Sequence, residues 1–170
     1  MVLVYVIPYM SRQDGGLMEY LEFREKWETD WCSTELGAIR AFLIGVIEYL
    51  EDSTKGGRMI ALTLPEQYLD SEGRPGRDAF LEYFCNDGGN SAKSYLGGSP
   101  ENNYLYDYSY PIEMLGNSDR GELESKIFIQ SGGKDMPSPV HLRRNSSGAW
   151  KLFNVSSLAT GVKRVENRDF

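Results

Sequence analysis

The residues of this chain that could do chemistry are few, and one of them decides most schemes. His141 is the only histidine, so any Ser-His, Cys-His or His-metal arrangement must pass through it. Cys32 stands in Asp30-Trp31-Cys32-Ser33, just ahead of a strongly amphipathic stretch. A thiol at a helix N-terminus has its thiolate stabilised by the helix dipole and free amides, so Cys32 as nucleophile and His141 as base would make a cysteine hydrolase or transferase dyad. No local motif of a known cysteine-hydrolase family surrounds either residue, and packing of Trp31-Cys32 against the helix is the simpler account. Tyr104, Tyr106, Tyr108 and Tyr110 alternate along one stretch and, with Trp150, offer a stacking surface for sugars, peptides or flat ligands. Aromatic core lining accounts for the same pattern more simply.

Other polar groups carry less. Asp78, Glu82, Asp107 and Glu113 could pair as acid and base, but scattered carboxylates in an acidic protein are ordinarily surface charge. Gly132-Gly133-Lys134-Asp135 lacks Walker spacing and a following helix, which makes it a hairpin loop rather than a phosphate cradle. Cys32 and Cys85 lack Cys-x-x-Cys spacing, so neither a metal site nor a disulfide framework is expected, and both thiols should be free. No cofactor is implied.

These residues must be positioned by a chain of 170 residues, a size that suits a single domain over residues 1–170 with a core of its own. Hydrophobic residues at 41% and charged residues at 25% fit a globular protein. A net charge of −7 opposes nucleic acid and anionic membranes, which demand a basic face. The adjacent Arg143-Arg144 pair reads as a solvated turn flank. The opening MVLVYVIPYM is too short to span a bilayer and lacks the basic region of a signal peptide. It reads as a leading strand, followed by a turn to Gly16, in a cytoplasmic protein, or an exported one if an upstream signal has been removed.

Apolar spacing predicts a helix over 17–29 and a central core helix over 34–52, ended by Lys55-Gly56-Gly57. Gly37 and Gly45 on that helix point to close packing. Thr63-Leu64-Pro65-Glu66 has the form of a capping box opening a short helix to Leu69, and a further helix is expected over 77–84. The Gly/Ser/Asn-rich span 88–103 reads as the longest loop and a candidate for mobility or binding. Period-two alternation over 104–114 predicts a long half-buried strand. Strands over 126–131, 139–143 and 149–155 follow, the last two joined by the polar turn Asn145-Ser146-Ser147-Gly148, and 157–162 would extend the sheet.

The last hairpin, with Pro139, Val140, His141, Leu142, Gly148, Trp150, Lys151 and Leu152 in order, resembles the cone-shaped α+β folds of the nuclear-transport-factor-two-like, or cystatin-like, superfamily. The segment SGGKDMPSPVHLRRNSSGAWKLFNVSSLATGV is similar to the C-terminal part of an uncharacterised bacterial domain family, and GAIRAFLIGVIEYLED adds to that likeness. The resemblance implies a fold and a bacterial origin, and brings no catalytic residue with it.

The expected architecture is α+β: N-terminal helices packed on a curved antiparallel sheet of roughly four to six strands. The function it suggests is a non-catalytic module binding a small ligand or protein partner through the concave sheet face, with a homodimer joined through the sheet as one form it could take. The Cys32-His141 enzyme is the alternative.

Overall fold

The computed structural model describes residues 18–167 and 169, so the leading strand and turn expected over residues 1–16 lie outside the described residues. Helix α1 spans Tyr20–Thr29, α2 Glu35–Glu51, α3 Ser53–Thr63, α4 Leu81–Asn86 and α5 Asn90–Lys93. Strands β1 (Asp119–Arg120), β2 (Glu124–Ile129), β3 (Ser138–Arg144) and β4 (Trp150–Asn154) follow. They form one antiparallel sheet in the order β1-β2-β3-β4, each strand pairing with the next in sequence. The architecture is thus α+β, N-terminal helices against a four-stranded antiparallel sheet.

Helix α2 is the spine. Thr34 caps it by accepting from the Gly37 amide at 3.0 Å, and Ile39, Phe42, Leu43 and Ile44 have no exposed surface. Burial on every side of a helix marks it as central rather than amphipathic. Gly45 permits the crossing of α3, since a Cβ there would sit 2.9 Å from Ile60 Cγ1. The inner face of the sheet closes the same core with Ile127, Ile129, Val140, Leu142 and Leu152, all fully buried. Full burial of each such side chain contributes about 1.5–3 kcal/mol.

Among the described residues two carboxylates are buried in this apolar setting, Glu35 and Glu48, and both are on α2. Glu35 accepts a forked pair from Arg120 (2.7 and 3.1 Å) and a bond from Ser125 at 3.1 Å, which ties the start of α2 to β1 and β2. Burial pushes its carboxyl up, but the Arg120 and Ser125 bonds and the helix amide outweigh that and hold it below the usual range. Glu48 accepts from the Met18 amide and from the Tyr108 hydroxyl at 3.2 Å. Its Oε2 makes no hydrogen bond but lies 3.3 Å from Lys55 Nζ, so the buried charge is neutralised by an ion pair.

Several expected boundaries are corrected. Lys55-Gly56-Gly57 does not end α2; Asp52 does, and its side chain accepts from the Lys55 amide at 3.0 Å to open α3 at once. Thr63 does not begin a helix: it is the last residue of α3, its hydroxyl bonded to the Ile60 carbonyl at 2.7 Å, and Glu66–Tyr68 is only a 3-10 turn. Over 77–84 the helix is broken by Phe80, whose φ of 54° separates a 3-10 turn from α4. The span 88–103 is no slack loop, because α5 runs through it and Ser91, Ala92, Ser94, Tyr95 and Leu96 are buried.

The long strand over 104–114 does not form. Asn103 and Tyr104 adopt left-handed φ values of 58° and 53°, and Arg40 of α2 takes the carbonyls of Tyr108 and Tyr110 (2.5 and 2.7 Å) out of any ladder. The residues 157–162 add no strand either; Ser156–Ala159 is a 3-10 turn that buries Leu158 and Ala159. The last hairpin is as expected, with Asn145 Oδ1 accepting from the amides of Ser147 and Ala149 and Gly148 at φ 87°.

Candidate functional site

Alternation on β3 and β4 sends Val140, Leu142, Trp150 and Leu152 inward and leaves His141, Arg143, Lys151 and Phe153 on the other face. A groove of about 510 Å³ lies on that face, between the β3–β4 hairpin and the chain that leaves α3. Leu64 and Leu69 line one wall, Phe153 the other, and Arg143, Arg144 and Lys151 supply cations. Arg143 stacks over the Phe153 ring at 4.9 Å, and Tyr68 donates to the Phe153 carbonyl at 3.0 Å, which fixes the aromatic wall.

Lys151 donates to the Leu62 carbonyl at 2.5 Å, one of the free carbonyls at the end of α3, and lies over the Trp27 ring at 5.3 Å. Burial pushes its ammonium pKa down, with the Cys32 sulfur opposing. Arg144 reaches the Gly148 carbonyl at 3.2 Å. Among the described residues none of these cations is in a salt bridge, and Glu66 is the one carboxylate in the lining. A groove with excess positive charge and an aromatic wall can hold an anion that carries a flat or apolar portion.

The residues singled out from sequence are scattered. Cys32 lies in the 3-10 turn Trp31–Ser33, half-buried, its thiol directed to the Glu28 carbonyl at 3.9 Å. His141 is exposed in mid-β3, opposite Lys126 and Asn154. No hydrogen bond joins Cys32 and His141, whose sulfur and imidazole have no shared partner among the described residues. Both cysteines are free, and Cys85 is exposed.

The tyrosines do not share a face. Tyr104 is buried with its hydroxyl on the Lys163 carbonyl, Tyr108 turns to Glu48, and Tyr106 tilts against Tyr108 with Lys93 5.5 Å from its ring. Tyr110 alone of the four is exposed, and it lines a separate cleft. Trp150 is core. Among the described residues no group of His, Cys, Asp and Glu is placed to hold a metal ion, and no helix is long and apolar enough to cross a membrane.

Sequence reading overlooked one polar network. Lys134 Nζ donates to the Tyr95 hydroxyl (2.8 Å), the Ser157 carbonyl (2.8 Å) and Thr160 Oγ1 (2.7 Å), while Tyr95 meets Ser138 Oγ at 2.6 Å. Burial lowers the Lys134 pKa to about 8, against the charge of Asp87, and raises that of Tyr95. Ser, Tyr and Lys in a row are groups that can activate a nucleophile, but Ser138 and Tyr95 are each only 2% exposed. The network is a staple that fastens the turn Ser156–Ala159 to Tyr95, just past α5, and to Ser138 of β3. Lys134 gave no signal in the sequence beyond membership of a Gly-rich loop.

Fold and site together define an α+β domain with a basic, aromatic-walled groove on the outer face of its last hairpin. The chain belongs to the family described as a domain of unknown function, DUF6935, whose model matches residues 19–166. No curated protein and no solved structure matches it.

Proposed function

We propose that this chain is a non-catalytic bacterial binding module whose groove beside the β3–β4 hairpin takes a small anionic ligand with a flat or apolar portion. The observation that carries the reading is the placing of Arg143, Arg144 and Lys151 in one groove with Phe153, over whose ring Arg143 stacks, without a salt bridge to any described carboxylate, in a chain of net charge −7. Cations held beside an aromatic surface and left without a carboxylate are available to an incoming anion. The outer groove, rather than a concave inner face, is the binding surface in this reading, because the inner face is filled by the core. The order of residues in the last hairpin supports placing the domain beside the cone-shaped nuclear-transport-factor-two-like folds.

The test is a calorimetric titration with aryl carboxylates and aryl phosphates, with inorganic phosphate as the control that lacks the flat portion. Binding by the aryl anions that falls about tenfold in Arg143→Ala and again in Phe153→Ala supports the module. Equal affinity in wild type and the double variant Arg143→Ala/Arg144→Ala would sink it.

A further inference from the structure

A second cleft, of about 370 Å³, opens on a different part of the molecule, between the stretch 94–99 and the stretch 110–115, with Gln130 and Gly132 at the end of β2. Its walls are irregular chain, yet they are fastened at each end. Asp107 N–H donates to the Leu96 carbonyl (2.9 Å), Leu115 N–H to the Phe128 carbonyl (2.9 Å) and Gly132 N–H to the Ser94 carbonyl (2.8 Å). Arg40 holds the Tyr110 carbonyl from behind at 2.7 Å. A cleft built this way is preorganised although neither wall is a strand or a helix.

Within it, Tyr110 is a supported platform. Its ring rests on Gly97, where φ is 98° and a Cβ would come within 2.9 Å of Tyr110 Cδ2, so only glycine lets the ring lie that close. Tyr110 is still 46% exposed, and its hydroxyl has no partner among the described residues. Gln130 is anchored through Nε2, which donates to the carbonyls of Ser131 and Lys134 (3.0 and 2.9 Å), leaving Oε1 as an acceptor. Glu113 is exposed on the same cleft and is in no salt bridge among the described residues.

We propose that this cleft is a saccharide subsite, in which the apolar face of a neutral pyranose lies on Tyr110 and its hydroxyls donate to the Glu113 carboxylate and Gln130 Oε1. The chemistry excludes the alternatives in turn. An anion would meet the Glu113 charge, and a purely apolar ligand would strip water from a carboxylate and an amide oxygen without replacing it. An organic cation is served by several aromatic faces, and of the two aromatic residues in this lining Tyr95 is only 2% exposed, which leaves Tyr110 as the accessible face. A sugar ring matches a single flat surface bordered by acceptors, because it presents C–H groups on one face and O–H donors around its edge. The proposal is independent of the basic groove.

The experiment is saturation-transfer NMR on the full chain with glucose, galactose, N-acetylglucosamine and mannose oligosaccharides. The expected result is transfer to ring C–H protons of at least one of them, weakened about tenfold in Tyr110→Ala and retained in Tyr110→Phe, which keeps the stacking face. Glu113→Gln should weaken it further, and Arg143→Ala in the other groove should leave it unchanged. No transfer from a folded wild-type chain to any of these sugars overturns the proposal, as does transfer that survives Tyr110→Ala. Preferential saturation of benzyltrimethylammonium in a Glu113-dependent manner, without any sugar signal, would overturn it in favour of a cation site.

Discussion

The helix–sheet core and the irregular span 95–115 are fixed by different means. In the core, α2 and the β3–β4 hairpin are held by side chains with no exposed surface, among them Ile39, Phe42, Leu142 and Leu152. The span 95–115 has little regular structure, and individual polar groups fix it: Arg40 on two carbonyls, Asp107 Oδ1 on the amide and hydroxyl of Ser109, Lys134 on Tyr95. Burial is distributed and non-directional, whereas a clamp is a single group at a single place. The first kind of region tolerates the loss of one contact gradually, and the second loses local order when one residue changes.

The largest effect that tests this contrast is Leu142→Ala, expected to lower global stability by about 2–5 kcal/mol in denaturant unfolding. An unchanged midpoint would mean that the sheet face is not the core. Glu35→Gln comes next. It removes the charge from three bonds and should cost about 1.5–3 kcal/mol at neutral pH. Because the folded carboxyl titrates below its unfolded value, that stabilisation is present above the unfolded pKa and fades as pH falls through the folded one, so wild type and variant should converge in acid. Arg40→Met should cost only about 1 kcal/mol globally. Hydrogen exchange, however, should rise over 104–115 and stay unchanged in α2 and β3. Uniform loss of protection would remove the distinction between the two regions.

The smallest effect is a pH slope. Lys134 has a folded pKa of about 8, below that of a free lysine, so between that pH and the unfolded value the unfolded chain binds the extra proton. Stability should therefore rise with pH in that window, and the rise should vanish in Lys134→Met. Parallel curves for the two proteins from neutral pH to the onset of tyrosine ionisation would contradict it.

What could be read in advance follows the same division. The 3.6-residue period of α2 and the period-two hairpin around Asn145-Ser146-Ser147-Gly148 are local records of burial, and both were legible. Tyr104 to Met114 also alternates, but its tyrosines answer to separate partners, Lys163 and Glu48 among them, and Arg40, distant in sequence, prevents the ladder. Period two without a pairing partner does not make a strand. Thr63-Leu64-Pro65-Glu66 had the composition of a capping box but stood at a helix end, where the threonine hydroxyl turns back to Ile60. The groove was half visible. Arg143-Arg144 read as a turn flank, and only the fold brings Lys151 and Phe153 beside them to face Leu64 and Leu69. The Lys134 staple depends on Ser157 and Thr160, far along the chain, and no local pattern records it.

Asp52 receives α2 through its backbone, donating to the Glu48 carbonyl at 2.9 Å, and launches α3 with its side chain. The two helices consequently share a joint with no spare length, which makes their phase a covalent property of the chain. One residue inserted there would turn α3 about its axis by about 100° and carry Met59 and Ile60 out of the core. The joint works as a key that sets the register of one helix on the other, and changes of length in this protein have to be accommodated elsewhere.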